Sequence, residues 1–195
     1  MIKPLIDTIR KYIHLTDQDI ATIKARAVHK TYCKGDYMLQ IGEVSKEIYF
    51  ILSGVLRVYY LDQSGNEITY VFVKEGELFT EPTSFYTGTP SICSIKAVVD
   101  TEVVLFPKSP WQELSVLIKD WEYAMKRLSQ DQLMHKLRFQ RLLIDQDATT
   151  AYQVLLDKEP TIALRVPANH LASYMGITKH SLSRIRKKIT SDSKS

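Results

Sequence analysis

Hydrophobic residues along the chain change their period more than once. Over residues 4–27 they fall at helical spacing, with Leu5, Ile9 and Ile13 followed by Ile20, Ile23 and Ala27, which predicts one or two amphipathic helices. Thr16 with Asp19 resembles a capping box, with Asp in place of the usual Glu or Gln. From Val28 to Phe106 the period drops to two. Short runs rich in Tyr, Val and Ile are punctuated by Gly35, Gly42, Gly54, Gly65 and Gly76, which predicts an antiparallel sandwich or barrel. Ser64-Gly65-Asn66 between two of these runs predicts a hairpin turn. Tyr49, Tyr59, Tyr60 and Tyr70 are read as core and barrel aromatics.

Pro107 and Pro110 close the strand region, and Trp111 to Ile144 contains neither Gly nor Pro, so one long helix is expected there. Leu114, Ile118, Trp121, Met125 and Leu128 form a heptad-like stripe, which Leu133, Leu137 and Ile144 shift. Such a stripe packs on its own domain or forms a dimer seam, and the seam is the favoured reading. Asp145–Asp147 make a polar break and a cap, Ala151–Lys158 a short helix closed by Pro160, and residues 161–166 a small strand. The polar tail TSDSKS is expected to be disordered.

The segment Val166 to Ile189 predicts a helix-turn-helix. Pro167 suits a first helical turn. Leu171 and Met175 lie one turn apart, and small Ala172 lets a second helix approach. Gly176 can end the first helix with positive φ. Ile177 plugs the corner, and Thr178 can cap the next helix. There Leu182, Ile185 and Ile189 share one face, while His180, Ser183, Arg184 and Lys187 point the other way. Lys179 and His180 stand in the first turn, where the helix dipole favours acids. A phosphate-lined groove would compensate that mismatch. Arg186, Lys187 and Lys188 are cations near the helix end, expected to hold phosphates.

Charge sharpens this. The 195 residues carry a formal net charge of +4. From Thr161 onward there are seven Lys/Arg against one acid, while the rest of the chain has 19 against 21. The tail end is therefore the nucleic-acid candidate. The charges Lys3, Asp7, Arg10 and Lys11 argue against a signal peptide, and no apolar run approaches the roughly 20 residues of a membrane span, so a cytoplasmic protein is expected. Cys33 and Cys93 fit no zinc or iron–sulfur pattern and are read as buried free thiols. His14, His29, His135, His170 and His180 show no ligand spacing, with His135 solvated or at the dimer seam. No metal, no cofactor and no enzyme activity are expected: there is no nucleophile–base pair and no phosphate-binding glycine loop. A cupin-type barrel enzyme is disfavoured because residues 30–106 contain no histidine.

The order of helix, glycine-punctuated barrel, long helix and helix-turn-helix resembles the Crp/Fnr family of bacterial transcription regulators, especially its divergent, Bacteroidetes-type members. The residues that carry the resemblance are Gly35, Gly42-Glu43, Ile51-Leu52-Ser53-Gly54, Gly65, Gly76 and the ending LASYMGITKHSLSRIRKKI. It implies an α+β fold: a β-roll sensor domain of cyclic-nucleotide-binding type over residues 1–110, a dimerisation helix over 111–144, and a winged-helix or helix-turn-helix domain over 145–195. The tail is too short for a well-formed wing. The resemblance places Lys179, His180 and Arg184 at bases and Thr178 and Ser181 near phosphates, with Ser183, Lys187 and Lys188 on the same interface. It implies a homodimer on a palindromic operator, an unknown small-molecule effector, no membrane, and RNA polymerase as a further partner where the output is activation.

The chain departs from the family at the ligand cassette. Cyclic-nucleotide-binding members carry Gly-Glu, then Arg-Ser/Thr-Ala, the arginine pairing with the phosphate and the glutamate with the ribose. The matching residues are Thr80-Glu81-Pro82 and Ser91-Ile92-Cys93. Glu81 survives, and Ser91 stands where the arginine should be. Lys96 is five residues on, roughly 16 Å along a strand. Cyclic AMP is therefore not expected to bind in the usual way, and Glu81 is read as a solvated surface carboxylate. The alternative function is a ligand-binding regulatory module that acts through protein contacts rather than DNA.

Overall fold

The computed structural model describes residues 2–192. Two helices lead, α1 (Lys3–Ile9) and α2 (Asp17–Arg26). The Thr16–Asp19 capping box starts α2, with side chain and backbone satisfied in both directions. Eight strands follow: β1 (Val28–Tyr32), β2 (Tyr37–Leu39), β3 (Glu47–Ser53), β4 (Val55–Leu61), β5 (Glu67–Lys74), β6 (Leu78–Phe79), β7 (Ser94–Ala97) and β8 (Thr101–Pro107), with helix α3 (Pro82–Thr87) before β7. They form two four-stranded sheets, in the orders β1-β8-β3-β6 and β2-β7-β4-β5, and every pairing described is antiparallel.

Alternation sorts the strand residues. On β3, Tyr49 and Ile51 join Leu56, Val58, Val73 and Ile95 between the sheets. Ile48 and Phe50 face the other way, into a second core built with α1 and α2. The turn into β4 rests on Gly54, which has φ +108°, and a Cβ there would stand 2.6 Å from the Thr101 Cα. No other residue fits so close an approach. The hairpin tip forms at Ser64–Asn66, where the Asp62 carboxylate accepts the Ser64 and Asn66 N–H groups at 2.8 and 2.9 Å. Two of the four tyrosines depart from expectation. Tyr49 and Tyr59 are buried, but Tyr60 and Tyr70 are exposed. Tyr59 and Tyr60 are neighbours in one strand, so their side chains leave opposite faces. Cys33 is likewise exposed and Cys93 half-buried, both as free thiols.

The expected single helix after the strands is two: α4 (Lys108–Leu117) and α5 (Trp121–Ile144). Asp120 takes a left-handed φ of 61° between them. The break folds Trp121 back onto Trp111, with ring centroids 5.4 Å apart. The heptad stripe is correspondingly not a free seam. Leu114, Ile118, Trp121 and Leu128 are buried, three of them in the core shared with the roll. Further along α5, Leu133, Leu137 and Ile144 are exposed.

Then come α6 (Ala148–Lys158), α7 (Pro160–Arg165), α8 (Ala168–Tyr174) and α9 (Lys179–Asp192). Asp147 caps α6 through the Thr149 and Thr150 N–H groups. The strand expected at 161–166 is instead α7, with Pro160 in its first turn and Ile162 and Ala163 buried. Packing of those two residues into the helical core overrides the local β-branched pattern. Helix α9 continues through Thr190–Asp192, so that part of the tail is ordered, and residues 193–195 lie outside the described residues.

Candidate nucleic-acid interface

Helices α8 and α9 make the predicted corner. Gly176 has φ +65°, and the Ile177 N–H donates to the Ala172 carbonyl at 3.0 Å, closing the end of α8. Thr178 Oγ1 accepts the Ser181 N–H at 3.0 Å and caps α9. Leu171, Ala172, Leu182 and Ile185 are buried in one cluster with Tyr152, Leu155, Ile162 and Val166. Ile177 and Ile189 pack against its margin. This apolar brace fixes the angle of α9.

The opposite face is polar and open. Lys179, His180, Ser183, Arg184, Lys187 and Lys188 are all exposed. The first turn of α9 has no acid. None of the ion pairs among the described residues involves Lys179, His180, Arg184, Lys187 or Lys188. Thr178 is exposed and Ser181 half-buried, and their hydroxyls lie 2.9 Å apart. Arg186 departs from the expected phosphate role. Its Nε donates to Tyr152 OH and its guanidinium to the Ala163 carbonyl, both at 3.0 Å, and it stacks over the Tyr152 ring. It braces α9 against α6 and α7. The Thr190 hydroxyl donates to the Arg186 carbonyl at 2.9 Å, extending the last turn.

In the roll, Glu81 is not a solvated carboxylate. It is buried, and it accepts the Ser84 N–H at 2.5 Å as the cap of α3. Ser91 is buried too, and its hydroxyl donates to the Cys93 carbonyl at 2.7 Å. Burial raises the Cys93 thiol pKa, with a smaller contribution from the nearby Glu81 charge. Glu81, Ser91 and Cys93 are thus brought together, whereas Ile92 turns outward at 81% exposure. Flanking cavities are lined by other residues. One holds Met38, Glu43, Lys46, Glu47 and Tyr49. The other, of about 300 Å³, lies between β6, α3 and α5 and includes Phe79, Tyr86, Trp111, Met125 and Leu133. Among the described residues no group of three His, Cys, Asp or Glu could hold a metal, and no helix is long and apolar enough to cross a membrane.

Sequence reasoning missed the residues that join the helix-turn-helix to the roll. Arg57, 1% exposed, lies under α8 on β4. Thr69 on β5 bonds both Ser173 and the His170 carbonyl. Lys74 pairs with Glu159, and Glu75 with Arg165. The one available signal was a charge inside the apolar run Val55-Leu56-Arg57-Val58. His170 is held well below the usual imidazole range, at about 4, by burial first and by the Arg57 charge second.

Comparison with known proteins agrees with this architecture. Residues 29–115 match the family described as the cyclic nucleotide-binding domain. The fold resembles FixK2 from Bradyrhizobium japonicum, with a TM-score of 0.70 at 20% identity over 86% of each chain. It also resembles the c-di-GMP-responsive global regulator CLP from Xanthomonas campestris, with a TM-score of 0.69 at 20% identity, covering 91% of this chain and 93% of that one. A Eubacterium rectale protein described as a regulator of the Crp/Fnr family gives 0.69 at 15% identity, over 91% and 85% of the two chains. The neuropathy target esterase sws of Drosophila persimilis is 30% identical over 115 residues, 56% of this chain. The chain spans 8% of that protein's length.

Proposed function

From a chain that carries a cyclic nucleotide-binding domain on the fold of Crp/Fnr-type regulators, we propose a homodimeric, sequence-specific DNA-binding regulator of transcription that works in the cytoplasm and is not an enzyme. One observation carries this reading: the outer face of α9 is a row of exposed cations with no carboxylate partner among the described residues, mounted on a buried apolar brace. Lys179, His180 and Arg184 read base edges in a major groove. Ser183 lies among them, and Lys187 and Lys188 hold phosphates. Thr178 and Ser181, having formed the cap, sit at the backbone contact of the helix N-terminus.

The dimer seam runs along Leu133, Leu137 and Ile144, the exposed part of α5, rather than along the stripe that the roll has already covered. The molecule then divides into roll, long helix and reader, with the first boundary at the Asp120 break rather than at residue 110. With Ser91 in place of an arginine and Glu81 spent on a helix cap, the roll does not bind cyclic AMP tightly in the usual way. Isothermal titration showing low-micromolar affinity would refute that. Its effector is a different small molecule. RNA polymerase is a partner where the output is activation.

Recovery of genomic fragments bound by the protein tests the function directly. A two-fold symmetric motif is expected, with half-sites about one helical turn apart. Recovery of fragments that share no motif would overturn the reading.

A further inference from the structure

Helix α9 is not free to turn about its own axis. Leu182 and Ile185 are held in the cluster that joins Tyr152, Leu155 and Leu171 of the C-terminal helices to Val55, Phe72 and Val98 of the roll. Arg186 is tied to Tyr152 OH and to the Ala163 carbonyl. The set of side chains that α9 presents is therefore fixed. At about 100° per residue, Lys179, Ser183, His180 and Arg184 span an arc of about 140° opposite the brace, and all four are exposed.

That set is chemically one-sided. In the major groove, bases are told apart by which groups donate and which accept. Arg and Lys donate to guanine O6 and N7, an Asn or Gln amide pairs with adenine, and a Glu or Asp carboxylate accepts from the cytosine amine. From Lys179 to Ser191 the sequence contains no Asn, Gln, Asp or Glu. The amide nearest in sequence, Asn169, is exposed on α8, the helix that crosses the DNA backbone. The Thr178 and Ser181 hydroxyls are engaged with each other in the cap. What remains is two long cationic donors, Lys179 and Arg184, with His180 and Ser183 between them making single rather than bidentate bonds. Neither cation takes part in an ion pair among the described residues, so neither has a carboxylate to give up. Five residues separate them, about 7.5 Å along the helix axis. That distance is about two base-pair steps of roughly 3.4 Å.

Resting on the DNA-binding reading above, we propose that each half-site of the operator is read through two guanines about two steps apart, one by Arg184 and one by Lys179. Arg184 takes O6 and N7 with its fork, and Lys179 takes the same atoms as a point charge. No base pair of the half-site is read through an adenine–amide pair or a cytosine–carboxylate contact from α9.

The test uses the full chain and the duplex recovered from genomic fragments, with single bases exchanged for analogues. 7-Deazaguanine removes the N7 acceptor from the major groove, whereas inosine keeps O6 and N7 and removes only the minor-groove amine. The recovered motif is expected to hold two guanines in each half-site. 7-Deazaguanine at either one is expected to weaken binding roughly tenfold, and inosine at the same place to leave it unchanged. Arg184→Ala is expected to become indifferent to 7-deazaguanine at one of the two positions and to keep its sensitivity at the other, and Lys179→Ala the reverse. A motif with fewer than two guanines in each half-site, a wild type indifferent to 7-deazaguanine, an equal loss with inosine, or full sensitivity kept in both variants overturns the guanine reading and leaves the DNA reading standing. Recovery of fragments that share no motif overturns the two together.

Discussion

Two groups of cations in this molecule have opposite fates. Three that are buried or half-buried in the roll and its border are neutralised inside the chain: Arg57 by Glu67, Lys74 by Glu159, Lys136 by Glu77. Those on the outer face of α9 have no carboxylate partner among the described residues. The first group spends its charge on structure, and the second keeps its charge for something outside. Within α9 the same contrast falls between neighbours. Arg186 is tied to Tyr152 and Ala163, and Lys187 beside it is exposed. Position on the helix, not residue type, decides which role a cation takes.

Substitutions break the comparison on either side. Lys74→Met leaves Glu159, 4% exposed, without its cation. Removing one partner of a buried pair costs about 3 kcal/mol, so a large fall in the midpoint of denaturant unfolding is expected, with no change in DNA site preference once folded. Arg184→Ala gives the reverse. Unfolding is unchanged, and competition between the recovered duplex and a scrambled one loses about 1–3 kcal/mol of discrimination. Retained selectivity would move Arg184 off the bases.

Arg186→Ala sharpens the contrast within one helix. It costs about 1 kcal/mol of stability through two lost hydrogen bonds, and it leaves the salt dependence of DNA binding as it was. A shallower salt slope would put Arg186 on a phosphate after all. A further effect is on pH. Folding holds His170 neutral to about pH 4, whereas the unfolded chain takes up the proton near 6.5. Between those values the unfolded state binds more protons, so stability is full above pH 6.5 and declines as pH falls toward 4. A thermal midpoint that does not drop between pH 7 and 5, or that drops equally in His170→Gln, contradicts this.

Much of this was legible in the chain because it depends on local rules. The switch from helical to alternating period marks the roll, Thr16 and Asp147 mark helix starts, and the corner of the reader is spelled by Ala172, Gly176 and Ile177. Where the structure departs, a distant contact decides. The break at Asp120 carries no Gly or Pro, and the edge-to-face contact of Trp111 with Trp121 sets it. Residues 161–166 are β-branched enough to suggest a strand, but Ile162 and Ala163 are claimed by the helical core. Glu81 is buried by the α3 turn that it caps. Arg57 is buried because α8 covers it, and nothing near it in sequence announces α8. The outward face of α9 was readable because exposure and period are local properties, and its partner was not, because no contact within the chain records it.

The most direct test is the slope of log binding constant against log salt concentration for the recovered duplex. The account predicts a steep slope that becomes shallower by roughly 2 for each reader when Lys187 and Lys188 are both replaced by Gln, and that does not change when Lys136 is replaced. A flat slope for the wild type would contradict it. The exposed face of α9 would then serve a protein partner, and the chain would be a regulatory module that does not touch DNA.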